Sequence, residues 1–464
     1  MDEVLWKAAD KLRGAVDAAQ YKDFVLGLVF LKYVSDSSGE GAFAVPDGAR
    51  WADLVGGSGG LTGGSGGLGE RIDASMDAIM RADPTLGGAL PKIFGGVDER
   101  RLGELVALIG EVRFDGKAAR DVLGEVYEYF LEKFARAEGK RGGEFYTPPC
   151  VVRLLVEILE PYKGRVYDPC CGSGGMFVQA EKFVLSHRGR MDDIAVYGQE
   201  ANERTWRLAK MNLAVHEIAG DLRRSDTFHD DAHPGLQADY VLANPPFNMS
   251  DWYRDAGDPR WRYGVPPAGN ANFAWIQHII SKLGPGGRAG VVMANGSMSS
   301  RQSGEGVIRA ALVEAGLVSC VIALPDRLFR STPIPACLWF FDRTPQDRSR
   351  VLLIDARDMG TMVDRTERVL TEDDIARIAG AYRSWRGGGH ADVPGFSHSA
   401  DLEELRAHDH VLTPGRYVGA ARANTGDEPA TARVERLTKE LFAHFEESAR
   451  LDHVVRAELG RLDG

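Results

Sequence analysis

The sequence predicts an α/β protein: a doubly wound, mainly parallel sheet between a helical N-terminal region and a helical C-terminal tail. Three observations carry this. From about residue 139 to 419, short β-branched runs alternate with segments of helical spacing. Two acidic residues, Asp168 and Glu200, each end one of those runs. Before residue 138 the apolar residues recur at helical intervals and strand signals are few.

The expected elements follow in order. In the N-terminal region (1–138), Leu5, Ala8, Ala9 and Leu12 share one helical face, and Phe24, Leu28, Leu31 and Val34 share another. A third amphipathic helix runs through Val122, Val126, Tyr129, Phe130 and Phe134. Residues 56–67 have flexible-linker composition, with one Gly-Gly-Ser-Gly-Gly pentapeptide on each side of Leu61-Thr62. The segment is either a linker standing in place of a loop or a natural Gly-rich loop, and neither reading gives it chemistry.

In the second region (139–419), strands are expected at Arg165–Asp168, Ile194–Gln199, Tyr240–Ala243, Gly290–Met293, Ser319–Leu324, Leu338–Phe341 and Leu352–Ile354. Helices are expected at Val151–Glu160, Gly175–Ser186, Asn202–His216, Ala271–Leu283 and Gly306–Ala315. The breakers of Leu283-Gly284-Pro285-Gly286-Gly287 are expected to end a helix before the next strand. From 420 the chain leaves this pattern. Residues 430–461 read as one charged helix whose stripe of Val434, Leu437, Leu441 and Phe445 packs on its own domain or on a partner.

Composition bounds the function. Hydrophobic residues make up 44% and charged residues 27% of 464, a soluble globular balance. With no basic, apolar leader and no run near the roughly 18 apolar residues a bilayer needs, a cytoplasmic protein with no membrane association is expected. The 5 cysteines include one adjacent pair and no CxxC, so neither a disulfide framework nor a metal site is expected. The net charge of −11 disfavours a chain that grips nucleic acid alone, because phosphate contacts need cations.

Tyr167-Asp168-Pro169-Cys170-Cys171-Gly172-Ser173-Gly174-Gly175 joins a strand to a helix. Such a turn lets a ligand approach the backbone at a helix N-terminus, although it is not a GxGxxG fingerprint. Asp168 can hold a cationic or hydroxylated group. Glu200 ends the next strand and can accept from two ribose hydroxyls. Asp226 follows the third strand position and can accept from an adenine amino group, or it can serve only as a cap.

Asp239–Phe247 is an apolar strand running into Asn244-Pro245-Pro246-Phe247. The prolines stiffen the turn and hold Asn244 out of helical geometry. This suits methylation of an exocyclic or amide nitrogen, whose lone pair is delocalised. The Asn244 side-chain oxygen and the Pro245 carbonyl can accept its two N–H bonds and favour a pyramidal nitrogen. Phe247 can stack on a base turned out of the duplex. Downstream, Trp252-Tyr253-Arg254 to Trp261-Arg262-Tyr263 interleaves aromatics with arginines, as a base and its flanking phosphates would require, or as a packed surface loop would show.

Taken together, these motifs resemble the N6-adenine DNA methyltransferases, in particular the modification subunit of type I restriction–modification systems. Tyr167–Gly175 resembles their S-adenosylmethionine loop, with Cys171, Gly172, Ser173, Gly174 and Gly175 in the cradle. Asn244–Phe247 resembles their catalytic motif. The segment Glu144-Phe145-Tyr146-Thr147-Pro148 resembles the one enclosing the methionine end of the cofactor, and Leu412–Gly419 the close of their methyltransferase domain. The resemblance implies a Rossmann-like class I methyltransferase domain acting on double-stranded DNA. It also implies a specificity subunit that binds two modification subunits, with a restriction/translocase subunit able to join this phage-defence complex. The tail is the candidate docking element. Enzymes that methylate a glutamine amide share the Asn-Pro-Pro-aromatic motif, but usually with Tyr where this chain has Phe247. A non-catalytic scaffold is the other alternative.

Overall fold

The computed structural model describes residues 21–37, 43–56, 66–112, 147–187, 189–329, 335–344 and 349–420, with single helical positions at 124, 127, 129, 438, 439 and 442. The chain divides into two compact units, Met1–Val418 and Gly419–Gly464. The tail stripe Val434, Leu437, Leu441 and Phe445 lies outside the described residues, as do the Leu5–Leu12 helix, most of Val122–Phe134 and most of the Gly-rich segment.

Four helices open the described chain: α1 (Tyr21–Ser37), α2 (Trp51–Gly56), α3 (Leu68–Ala82) and α4 (Glu99–Gly110). The expected face of α1 is buried, with Phe24, Leu28, Leu31 and Val34 at most 2% exposed. Their shared core also takes in Leu208, Met211 and Val215, which belong to a helix of the sheet region. The helical region is therefore fused to the sheet region by apolar burial rather than hung from it.

The sheet region runs α5 (Pro149–Leu159), β1 (Gly164–Asp168), α6 (Gly175–Ser186), β2 (Ile194–Glu200), α7 (Glu203–Val215), β3 (Gly220–Arg224), β4 (Ala238–Ala243), α8 (Asn272–Lys282), β5 (Leu283–Ala294), α9 (Glu305–Glu314), β6 (Val318–Ala323), β7 (Ala336–Asp342), β8 (Arg350–Asp355), β9 (Thr361–Met362), β10 (Arg368–Val369), α10 (Glu372–Arg386), β11 (Ser397–Asp401) and α11 (Leu402–Ala407). Nine strands form one sheet in the order β11-β8-β6-β7-β5-β4-β1-β2-β3, and β9 and β10 form a separate hairpin. Strands β3-β2-β1-β4-β5 are parallel, whereas β7 lies antiparallel between β5 and β6. Each face of the sheet carries its own apolar core. Because β1 pairs with both β2 and β4, the winding reverses between β1 and β4. A crevice opens there at the carboxyl ends of the strands. Asp168 and Asn244 flank it.

Every expected strand forms, six of them within two residues at their ends, whereas β5 starts seven residues before the expected Gly290. β3, β9, β10, β11, α10 and α11 are not marked by the sequence as such. The residues of β3 (Gly-Asp-Leu-Arg-Arg) make a charged edge strand with one buried side chain, so apolar periodicity is absent. The breakers after α8 also act differently from expectation. β5 begins at Leu283, which pairs with Ala238, and the next pair is Tyr240 with Arg288. The glycines form a bulge inside the strand pair, where a Cβ on Gly287 would stand 2.6 Å from the Ala238 carbonyl. The five cysteines are free thiols. Among the described residues, no helix is long and apolar enough to cross a membrane.

Candidate functional site

Asp168 ends β1 and is 2% exposed. Its Oδ1 accepts the Cys170 N–H at 3.0 Å, which starts the Gly-rich turn. The Cys171 N–H reaches the Gln199 carbonyl at 3.0 Å and the Gly174 N–H reaches the Cys171 carbonyl at 2.8 Å. Gly172 and Gly174 take φ of 55° and 80°, and a Cβ on Gly174 would stand 2.8 Å from Leu213 Cδ1 on α7. Those glycines are thus required by conformation and by close packing. Burial pushes the Asp168 carboxyl up to about 7, against the opposing effect of the Cys170 N–H.

Glu200 does more than end β2. Its Oε2 accepts the Gly172 N–H at 3.1 Å and its Oε1 the Asn202 N–H at 2.8 Å. The acid of the second strand therefore braces the turn after the first. Asp226 is exposed, and its Oδ1 caps the Phe228 and His229 N–H groups at 2.9 and 3.0 Å. The capping role weighed for it is real.

One cleft brings together Thr147, Asp168, Cys171, Gly172, Ser173, Gly175 and Asn244. Pro148, Gly174, Glu200, Asp226 and Phe247 are not among its lining residues. Glu144, Phe145 and Tyr146 fall outside the described residues. Lining residues that the sequence reading does not mark include Val152 on α5, Met176, Val178 and Gln179 on α6, and Asn212 on α7. Asn212 is 1% exposed and its Nδ2 donates to the Ser173 carbonyl at 2.8 Å, which fixes the turn from behind. Helix-interior amides carry no sequence signal that separates them from ordinary surface residues.

Asn244 stands at the end of β4. Its Nδ2 donates to Thr147 Oγ1 at 2.8 Å. Its Oδ1 is buried and has no hydrogen-bond partner among the described residues. A buried orphan acceptor is costly, so it marks a position where a donor is wanted. Phe247 is half-buried, with its ring edge-on to Phe329 at 6.1 Å. The next residue, Asn248, has φ of 53° and is locked to the start of α8 by a reciprocal pair. Its N–H reaches Asn272 Oδ1 at 3.0 Å, and Asn272 Nδ2 reaches Asn248 Oδ1 at 2.9 Å. This clamp on the rigid turn was not foreseen either.

The aromatic–arginine loop resolves between its two readings. Trp261 is 8% exposed and packs with Phe228, Trp275 and the half-buried Trp252 in a small core, while Arg260 is engaged by backbone carbonyls. These residues are engaged within the fold and do not face a base or a phosphate. Tyr253, Arg254 and Arg262 remain exposed.

The winding, the Gly-rich turn after β1 and the rigid Asn-Pro-Pro-Phe turn after β4 define a class I methyltransferase domain. Comparison with known proteins narrows it. The N-6 DNA Methylase family matches residues 118–425 and the HsdM N-terminal domain matches residues 1–109. The Type I restriction enzyme HindI methylase subunit of Haemophilus influenzae is 46% identical over 85% of this chain and 93% of its own length. The MjaIX methylase subunit of Methanocaldococcus jannaschii is 35% identical over 99% of this chain and 90% of its own. The crystal structure of the type I restriction–modification methyltransferase subunit from Streptococcus thermophilus superposes with a TM-score of 0.78 at 26% identity, covering 90% of this chain and 99% of that one. The chain belongs to the N-6 DNA methylase family, as a methylase subunit of the type I restriction–modification kind, and is an adenine-specific DNA methyltransferase.

Proposed function

We propose that the cleft between the Asp168–Gly175 turn and Asn244 holds S-adenosylmethionine, and that Asn244–Phe247 presents the N6 amino group of an adenine in double-stranded DNA to it. The observation that carries this is the buried Asn244 Oδ1, which lacks a partner among the described residues while Thr147 holds the amide nitrogen. S-adenosylmethionine supplies an electrophilic methyl. Asn244 Oδ1 accepts one N–H of the adenine and the Pro245 carbonyl accepts the other, so both stabilise charge that develops only during transfer. A neutral amide does this without burying a free charge. Pro245 and Pro246 hold the acceptors rigid, and Phe247 stacks on the extruded base.

On the cofactor side, Cys171, Gly172, Ser173, Gly174 and Gly175 cradle the ligand from the α6 N-terminus. Asp168 takes a cationic or hydroxyl group. A carboxylate accepts more than two hydrogen bonds, so Glu200 can brace the turn and also take ribose hydroxyls. Asp226 receives the adenine amino group of the cofactor. Glu144, Phe145, Tyr146, Thr147 and Pro148 close over the methionine end. No metal is needed.

We infer a three-part organisation (1–138, 139–419 and 420–464) in which the tail docks on a specificity subunit that binds two such chains. A restriction/translocase subunit can join them. The net charge of −11 fits a chain that delegates much of its phosphate contact. The test is Asn244→Ala, assayed for methyl transfer to DNA with the specificity partner present and, separately, for cofactor binding. Transfer should vanish while binding survives, and equal activity in mutant and wild type overturns the mechanism.

A further inference from the structure

The loop after Asn244–Phe247 is tied to the cofactor side of the fold through one nearly buried side chain. The Arg260 side chain is 12% exposed and faces Asp258, whose Oδ1 accepts from Nε at 2.9 Å. Its Nη1 donates to the Thr227 carbonyl at 2.7 Å and its Nη2 to the Phe228 carbonyl at 2.9 Å. Those carbonyls belong to the turn that Asp226 caps. Thr227 Oγ1 donates in turn to the Pro169 carbonyl at 2.6 Å, next to Asp168. Nη1 also donates to His278 Nδ1 at 3.0 Å. That assigns the imidazole proton to Nε2, which donates to Tyr167 Oη on β1 at 3.1 Å.

One guanidinium thus joins the loop beyond the catalytic tetrapeptide to the turn after β3, and Thr227 carries the link on to the turn after β1. The aromatic core lies across the same join, with Phe228 at 4.4 Å from Trp275 and 4.9 Å from Trp252. Apolar packing alone would hold these pieces together at least as well as a buried cation does. What the planar fork adds is register, because it spans two carbonyls, a carboxylate and an imidazole that a lysine ammonium cannot reach at once.

We propose that Arg260 is a positioning residue that couples occupancy of the cofactor site to the order of the loop 248–266, so that the target-facing loop is set once the cofactor is in place. This rests on the cofactor site assigned above.

The experiment is hydrogen exchange on the full chain with and without saturating S-adenosylhomocysteine, with binding measured in parallel by calorimetry. In the wild type the ligand should slow exchange across 248–266 about tenfold. In Arg260→Met and Arg260→Lys the ligand should still bind at saturation, and this loop-specific protection should disappear. A purely structural role would raise exchange equally with and without ligand and leave the ratio intact, which overturns the proposal. If Arg260→Met does not fold, Asp258→Asn removes the anchor and keeps the guanidinium, and it should reduce the ratio in the same direction. An unchanged ratio there, or a wild-type loop indifferent to bound ligand, also overturns it. A wild type that binds no ligand overturns the cofactor assignment itself, and this inference with it.

Discussion

If Asp168 holds the cofactor as proposed, binding should be sensitive to pH near neutrality. Burial raises its carboxyl from 3.8 to about 7, so the ionised form costs about 4 kcal/mol in the free protein. The direction follows from which state holds the proton. Between the ordinary value and about 7 the folded chain keeps a proton that the unfolded chain has lost, so the stability Asp168 contributes is full in acid and is lost as the pH rises through about 7. A cofactor that places a cation or hydroxyl against this carboxylate pulls its pKa down and releases the proton. The ionised fraction of a group titrating at about 7 is roughly one tenth at pH 6 and three quarters at pH 7.5, so cofactor affinity should rise about eightfold over that range. Calorimetry in buffers of different ionisation enthalpy reads both the affinity and the proton release, which should approach about one proton at pH 6 and about one quarter at pH 7.5. Asp168→Asn should bind more weakly at pH 7.5 and show no such slope. A flat wild-type profile without proton release would refute the reasoning.

Three further outcomes are expected. Thr147→Val removes the acceptor that orients the Asn244 amide, worth about 1 kcal/mol, so kcat should fall about fivefold; a change confined to cofactor affinity would count against the role. Gly174→Ala forces a side chain into φ of 80° and against Leu213 Cδ1. It should cost about 1–3 kcal/mol in denaturant unfolding and weaken S-adenosylhomocysteine binding, and unchanged stability would contradict the packing argument. The isolated chain should bind DNA weakly and without sequence selectivity; a nanomolar, selective shift in a mobility assay would show that it reads DNA by itself.

Much was legible before the structure because it is written in local signals. Gly175–Ser186 reads as a helix behind glycines, and Ile194–Glu200 as an apolar run closed by an acid. Asn244-Pro245-Pro246-Phe247 is conspicuous because proline fixes the backbone whatever surrounds it. Elements without such marks were missed. β3 carries charges on an edge, and β11 is Ser-His-Ser-Ala-Asp, in which neither β-branching nor alternation shows. The Trp252–Tyr263 loop was ambiguous because an aromatic beside an arginine looks the same whether it faces a base or a core.

The sequence by itself determined the class of chemistry: a Gly-rich turn with acids at two strand ends, and an amide locked between a strand and two prolines. These depend on neighbours along the chain. Only the tertiary structure decided which groups are already engaged and which await a partner. Thr147 reaches Asn244 across 97 residues, Glu200 braces Gly172 across 28, and Asn244 Oδ1 is left buried and unpartnered among the described residues. Hydrogen-bond satisfaction is a property of three-dimensional proximity, and burial sets its energetic weight. No reading of spacing along the chain reaches either.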